Sequence, residues 1–322
     1  LIMALKQNPA LADLAIYKIK KRGFFKRMFG VKPVKTLDTL TTFSKKPEFW
    51  HLALNPNTRT WKKNIFSDHW SERFPVPVAK NMYLRKGYAD EIFNRIKCTP
   101  LENPGKYVYS DLHFYYYPEM VQHLTGQSID TYLEKTYTAL GCHNLKFNPW
   151  KTYPTESIIP TEYDSTFRQQ LLHGYVHDEG AAMLGGISGH AGLFGTANDV
   201  VKIMQMYLWN GNYGKKQFIQ PEILRQFTSY LFPQEQNRRG LIFDKKSFEP
   251  DTGNIPSLTS EKAFGHSGFT GTYAWADPQY GLVYVFLSNR VYPTRYNKVL
   301  NDLNIRAAIG DILIKHILKS KH

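Results

Sequence analysis

Apolar and polar positions recur along this chain at intervals that change several times, and the changes divide it. Over residues 1 to 29, Leu5, Leu11, Leu14, Ala15 and Ile19 fall at helical spacing among basic residues until Gly23 and Gly30 interrupt them. From Val31 to Pro77 no period holds. Pro33, Pro47, Pro56, Pro75 and Pro77, with Trp50, Trp61 and Trp70, predict a long loop-rich segment clamped by large aromatics. Tyr88 to Lys97 regains a helical pattern and stops at Thr99-Pro100. Lys106 to Asp111 leads into a second helix through Leu124, with Gly126 as its stop, and Ser128 is placed to cap a third, Ile129 to Ala139, ended by Gly141. Helices joined by so few residues pack against each other.

Residues 163 to 195 have a different texture. Glycines at 174, 180, 185, 186, 189, 192 and 195 predict a close-packed loop and argue against a helix. Thr196-Ala-Asn-Asp199 reads as a capping box, and Val200, Ile203, Met204, Tyr207 and Leu208 then share one face of a helix that Gly211 stops. Pro221 opens another helix in its first turn, where a missing N–H costs nothing. After a polar link, Ala263 to Arg290 reads as two neighbouring strands. The first carries Gly265, Gly268 and Gly271; the second is the apolar run Leu282 to Leu287, suited to burial on both faces; Asp277 to Gly281 turns the chain between them. A closing helix from Asn304 to Leu318 presents Ile305, Ala308, Ile309, Ile312, Leu313, His316 and Ile317 as the stripe expected to lie on a sheet.

Composition narrows the class. The 322 residues suffice for one large or two ordinary domains, and 15% aromatics favour packing over disorder. No apolar run is long enough to cross a bilayer. The chain opens at Leu1 without a signal-peptide pattern, and the expectation is a fragment or a processed product. Cys98 and Cys142 form no metal-type spacing. Of the net charge of +14, residues 1 to 46 carry most, with eleven Lys or Arg against Asp13 and Asp38. The Lys18 to Arg27 cluster reads as a solvated basic face suited at most to weak contact with a membrane surface, and no nucleic-acid module surrounds it.

Two short stretches hold candidate chemistry. His266-Ser267-Gly268 places a titratable ring, a hydroxyl and bare backbone within three positions of a strand; glycines relieving crowding in a core hairpin are the alternative. Tyr109-Ser110-Asp111 stands at a helix entrance, where free N–H groups and hydrogen-bonding side chains face outward together. A tyrosine there accepts a proton if a cation lowers its pKa from about 10. The same residues suit an N-cap and a packed ring. Gly186-Ile-Ser188-Gly-His190 misses the nucleophile elbow because histidine stands where the second glycine belongs. His173, His177 and Asp178 have metal-ligand spacing only on a helix, which Gly174 opposes, so neither metal nor cofactor is expected.

The order of these parts, Tyr109-Ser-Asp111 before two helices, a helix after Gly192 to Thr196, and His266-Ser-Gly268 before a closing helix, resembles the serine beta-lactamase and penicillin-binding-protein-like hydrolases, nearest their class C, esterase-like branch. The resemblance runs from about Lys106 to the C-terminus. It implies an α/β (α+β) fold, an antiparallel sheet flanked by helices plus a mainly helical subdomain, incomplete at its N-terminus. The parts would then be residues 1–104 as a basic, loop-rich segment, 105–235 as the helical subdomain and 236–322 as the closing strands and helix. It implies acyl-enzyme hydrolysis of a lactam, an ester or a D-amino-acid peptide, a small-molecule or peptidoglycan-like substrate, and a periplasmic or extracellular location; some relatives carry an upstream family 3 glycoside hydrolase domain. Carried over, Tyr109 is the base, Asp111 stands where the family has asparagine, His266 and Ser267 line the far wall, and the Phe269 N–H is an oxyanion donor, with Gly268 and Thr270 beside it.

The departures matter as much. No serine of this chain is followed by lysine three positions on, so the family's Ser-x-x-Lys nucleophile is missing and the chain alone is expected to be inactive. The alternative is a non-catalytic relative that binds cell-wall or glycan fragments. Without the family's early strands, a sheet with an uncovered edge is expected unless residues 1 to 46 cover it. Asp111 accepts hydrogen bonds where asparagine would also donate, and histidine at 266 makes a charge on that wall depend on pH near neutrality.

Overall fold

The structure, a computed structural model, describes residues 61–101, 107–249 and 255–320. The expected helix over 1 to 29, the basic cluster and most of the loop-rich segment lie outside the described residues. Internal contacts divide the chain into two units, Leu1–Pro47 with Thr99–Tyr109, and Glu48–Cys98 with Ser110–His322. In the first unit the described residues, 99–101 and 107–109, are irregular backbone.

Its first half is built on a small antiparallel sheet, β1 (Phe66–Ser67), β2 (Val76–Ala79) and β3 (Met82–Leu84), in the order β1-β3-β2. The strands are two to four residues long, β2 follows Pro75 and contains Pro77, and they are too short to show alternation, which is why only loop was expected through Pro77. Phe66, Val78, Met82 and Leu84 are buried with Ile92 of helix α1 (Tyr88–Cys98) and with Phe167, Leu172 and Met183 from further along. Trp61 does act as a clamp, its Nε1 donating to Phe167 O at 2.8 Å, whereas Trp70 is 61% exposed and holds nothing in place.

A 3-10 turn (Leu112–Tyr116) runs into α2 (Tyr117–Thr125), stopped by Gly126 at φ 72°, and α3 (Ile129–Ala139) packs against it. Ser128 occupies the cap position of α3, but its Oγ bonds Thr131 Oγ1 at 2.9 Å and no backbone N–H. The glycine-rich stretch holds more order than a loop. Before it comes β4 (Lys146–Phe147); within and around it are a hairpin of β5 (Pro160–Asp164) and β6 (Gln170–His173), the short helix α4 (Glu179–Met183), and β7 (Leu193–Phe194), which pairs with β4. The hairpin was masked because a side chain sets its turn: Asp164 accepts from the backbone N–H groups of Thr166, Phe167 and Arg168.

Helix α5 (Ala197–Leu208) starts at the expected cap, Thr196. Thr196 Oγ1 accepts from Asp199 N at 3.3 Å and donates to Asp199 Oδ2 at 2.8 Å, so the box closes on the hydroxyl instead of the cap's backbone N–H. A ribbon of β8 (Asn212–Tyr213) and β9 (Lys216–Gln217) and helix α6 (Pro221–Thr228) follow.

The second sheet has antiparallel order β10 (Asp244–Lys245), β11 (Phe264–Ser267), β12 (Tyr273–Asp277), β13 (Leu282–Phe286), and the chain ends in α7 (Val299–Asp302) and α8 (Ile305–Lys319). The expected first strand is thus two strands, folded back at Gly268 to Thr272. One face, with Phe264, Ala276, Val283 and Val285, packs on Met204 and Val200 of α5; the other, with Tyr273, Trp275 and Tyr284, lies under Ile309 of α8. Within β13 only Tyr284 is fully buried, so the run expected to be covered on both faces is mostly half-buried. Among the described residues no strand pairs with its outer edge.

The sheet-facing stripe of α8 agrees with the expected one at Ile309 and otherwise differs from it. Arg306, Ala307, Gly310 and Ile314 are buried, while Ala308, Ile312, Leu313 and His316 are exposed. Apolar residues surround this helix, so periodicity could not choose a face. Gly310 decides it, because a Cβ there would collide with Pro256 where the helix meets the sheet. Helices flanking antiparallel sheets make the mixed α/β class that the resemblance implied.

Candidate functional site

Strand β10 is two residues long; it pairs with Phe264 and Gly265 on one side, and Asp244 bridges Arg239 on the other. His266 and Ser267 continue β11 past the end of β10, so among the described residues their backbone has a strand partner on the β12 side alone. The chain then turns, with Gly268 N donating to Thr272 O at 2.8 Å and Gly271 N to Gly268 O at 3.0 Å. Gly271 has φ 107°, which a side chain adopts only with strain. Gly268 and Gly265 are filled by the chain itself: a Cβ would meet the Thr272 hydroxyl at the first and Ala274 O with the Trp275 ring at the second. The crowding alternative therefore accounts for these glycines, and the opening on this strand lies at its edge, not above its face.

Phe269 sits at the tip, 61% exposed, its ring 5.3 Å from that of His177 and 4.6 Å from the Arg290 guanidinium carbon. Arg290 N donates to Thr270 O at 3.0 Å, and Ser288 Oγ to Gly271 O at 3.0 Å, pinning the turn to the loop after β13. His266 uses both ring nitrogens, Nδ1 at 2.9 Å from Ser267 O and Nε2 at 3.2 Å from Arg239 Nη1. Arg239 and Arg238 both contact Asp244 Oδ1, at 2.6 and 2.7 Å.

Behind Phe269 lies a buried charge cluster. Glu162 on β5, 2% exposed, accepts from Arg295 through its backbone N and its side-chain Nε and Nη2. Arg295 Nη1 also donates to Glu179 Oε1 at 2.7 Å. His177 Nε2 lies 2.9 Å from Glu162 Oε2, an ion-pair contact without the alignment of a hydrogen bond. Burial alone would raise the Glu162 carboxyl, but His177 and Arg295 outweigh it and hold it at about 2. Arg168, with no exposed surface, fixes the backbone beneath this cluster: Nε donates to Asp164 Oδ2, Nη1 to Val176 O and Nη2 to His177 O, at 2.6 to 2.7 Å.

The next residue, Asp178, caps α4 by accepting from Ala181 N and is 2.9 Å from His190 Nε2. The other nitrogen, His190 Nδ1, is 2.9 Å from Ser188 Oγ, and the ring stacks on Tyr115 at 4.4 Å. A carboxylate only accepts, so His190 donates through Nε2, while the Ser188 hydroxyl can meet Nδ1 as donor or acceptor. This is relay-like wiring, but Ser188 is 3% exposed and closed to a substrate. Tyr115 of the 3-10 turn thus stacks on His190, which meets Asp178, and the two chain neighbours of Asp178 reach on, Glu179 to Arg295 and His177 to Phe269.

Of the residues singled out in the sequence, His266, Ser267, Gly268, Phe269 and Thr270 form the end of β11 and its turn. Asp111 heads the 3-10 turn without a side-chain cap bond, and its neighbour Ser110 accepts from Leu112 N at 3.3 Å. Tyr109 ends the first unit, its ring 52% exposed. His173 contacts Ile158 O, and among the described residues no three His, Cys, Asp or Glu side chains are grouped to hold a metal. Sequence reasoning missed Glu162, Arg168, Arg239 and Arg295. The titratable run His177-Asp178-Glu179 was the available signal for the first two and the last; Arg239 had none.

Residues 67–309 match the family model described as Beta-lactamase. The chain belongs to the beta-lactamase family. A curated relative from Escherichia coli (strain K12), named "Putative D-alanyl-D-alanine carboxypeptidase", is 34% identical over 265 residues, 74% of this chain and 60% of the relative. One of the same name from Salmonella enteritidis PT4 (strain P125109) is 32% identical over 246 residues, 69% of this chain and 56% of that protein. The chain therefore spans about 60% or less of the length of these curated relatives. Among solved structures, a beta-lactamase from Mycobacterium bovis gives a TM-score of 0.42 at 19% identity, over 64% of this chain and 68% of that one. A penicillin-binding-protein homologue from Caulobacter crescentus gives 0.44 at 20% identity, over 68% and 65%. In this beta-lactamase-family chain no serine has lysine three positions on. Three threonines do, Thr42, Thr60 and Thr259; of these Thr259 is described, and it is buried with its hydroxyl donated to Pro256 O.

Proposed function

We propose that this chain is the C-terminal part of a beta-lactamase-family serine hydrolase acting through an acyl-enzyme on a D-amino-acid-containing peptide, with lactams and esters as chemically related substrates. The observation that carries the reading is the end of β10 opposite Gly265, which leaves the His266–Ser267 backbone without a strand partner along one edge among the described residues. An extended peptide can add there as a strand, taking backbone hydrogen bonds for affinity. The curated relatives, by their printed name, point to the D-alanyl-D-alanine terminus as the peptide. Phe269 N–H, at the exposed tip of the turn, is the oxyanion donor in this reading, and Tyr109 takes the proton of the attacking serine and returns it to the leaving amine. The nucleophile belongs to sequence that precedes these residues in the longer product.

The second reading, a binder of wall fragments without turnover, is favoured by one observation, the lack of Ser-x-x-Lys. A fluorescent penicillin separates the two, since only an activated serine is labelled. This chain alone is expected to stay unlabelled, and the longer gene product to be labelled and to lose the label with Tyr109→Phe. An unlabelled longer product that still binds N-acetyl-D-alanyl-D-alanine establishes the binder; labelling of this chain by itself overturns the division of labour proposed here.

A further inference from the structure

We propose that Arg290 is a positioning residue for the candidate oxyanion donor: its side chain closes the loop after β13 into a clip, and the clip holds the turn that presents the Phe269 N–H. Within that turn Gly268 N donates to Thr272 O and Gly271 N to Gly268 O, while Phe269 N and Thr270 N donate to nothing among the described residues. Two consecutive N–H groups are thus left for a ligand. Their direction is set by whatever fixes the backbone around them. Ser288 Oγ donates to Gly271 O and Arg290 N to Thr270 O, both at 3.0 Å, and Arg306 Nη1, from α8, to Thr272 O at 3.3 Å.

Bonds from a loop hold the turn only if the loop itself is fixed, and the Arg290 side chain fixes it. Its Nη1 donates to Arg295 O at 3.1 Å and to Asn297 O at 2.8 Å, tying residues 290 to 297 into a closed ring. That ring is anchored on the β5–β6 hairpin: Asn289 Nδ2 donates to Pro160 O at 3.1 Å, Arg295 N to Glu162 Oε1 at 2.8 Å, and Pro293 O accepts from Tyr163 N at 2.9 Å. Towards the turn, the guanidinium carbon lies 4.6 Å from the centroid of the Phe269 ring, and Cγ would be 3.2 Å from a Cβ placed on Gly271. One side chain therefore meets the loop, the Phe269 ring and the glycine that ends the turn. A guanidinium suits this task, since a planar group with five donors serves two carbonyls and an aromatic ring together. The assignment rests on the proposed function for the task of the Phe269 N–H, but not for the hold of Arg290 on the turn.

The hold and its consequence are measured separately. In this chain, amide hydrogen exchange at Gly268 and Gly271 reports on the turn, with Trp275 and Ala276 of the central strand β12 as internal controls. Arg290→Met is expected to speed exchange at both glycines about ten-fold, the value of one charge-assisted bond, and to leave the controls within about two-fold. Arg290→Lys, which keeps a donor for one of the two carbonyls, should fall between, and it carries the same comparison if the methionine variant does not fold. Unchanged protection at the two glycines, or equal acceleration of the turn and β12, overturns the proposal. In the longer gene product, a fluorescent penicillin gives the acylation rate constant at saturation and the concentration for half-saturation. An oxyanion contact is made in the transition state, so Arg290→Met should lower the rate constant roughly ten- to hundred-fold with the half-saturating concentration within about two-fold, and Arg290→Lys should recover part of the loss. A raised half-saturating concentration at an unchanged rate constant makes Arg290 a substrate contact and overturns the assignment. If the longer parent is not labelled, the proposed function fails, and the exchange rates still decide whether Arg290 holds the turn.

Discussion

Replacing Glu162 by glutamine tests whether the buried cluster behind Phe269 holds the site together. The carboxylate takes the backbone N, Nε and Nη2 of Arg295 and faces His177, with 2% of its surface exposed. Its pKa is held at about 2 against an ordinary 4.5, and at 1.36 kcal/mol per unit this difference is about 3 kcal/mol of stability. Breaking a buried ion pair from one side costs roughly 3 to 5 kcal/mol, and Arg295 keeps Glu179, so the lower end applies. The folded pKa lies below the unfolded one. The contribution is therefore complete above about pH 4.5 and disappears as pH falls towards 2. Urea unfolding of the parent and of Glu162→Gln should differ by about 3 kcal/mol at pH 7, by roughly half of that at about pH 3, and converge as pH falls to about 2. A difference below about 1 kcal/mol at pH 7, or one that does not shrink on acidification, refutes the electrostatic account.

Two further substitutions separate local from tertiary effects. Gly310→Ala should destabilise by roughly 1 to 2 kcal/mol in thermal unfolding although alanine is the better helix former by about 1 kcal/mol, because the added methyl meets Pro256; a stabilised variant would show that α8 shifts freely on the sheet. Lys245 is buried, donates to Ala263 O at 2.8 Å and has its pKa pushed down to about 8 by burial, against the opposing pull of Asp277 and Glu261. Its folded pKa is below the unfolded value, so the charged form costs stability below pH 8 and the cost is relieved as pH rises from 8 towards 10.4. Lys245→Met should be more stable at pH 7 by about 1 to 3 kcal/mol and should lack the rise over that window, and equal slopes in the two proteins would count against it.

The helices were legible where caps and stops were local: Thr196, Gly126 and Pro221 act within a turn of themselves, and all three stand where their residue types placed them. Strands of two to five residues were less so, because alternation needs length and the β5–β6 turn depends on a side chain folding back on its own backbone. The face of α8 was misread since residues on every side are apolar and the decisive contact is with Pro256, 54 positions earlier. In the site, the contiguous segment 266–270 was visible as a motif, whereas Arg239, 27 residues away from His266, is brought to it only by the pairing of β10 with β11. Charges recruited across such distances leave no local pattern.

One carboxylate oxygen, Asp178 Oδ1, serves two masters: the first turn of α4 and the ring of His190. Drift at position 190 is then not independent of drift at 178. A substitution that empties the imidazole's place should alter the effect of changing the aspartate, and the paired variant should lose less than its two parents added together. For this lineage, epistasis is written into a single atom, and the two positions are expected to change together or not at all.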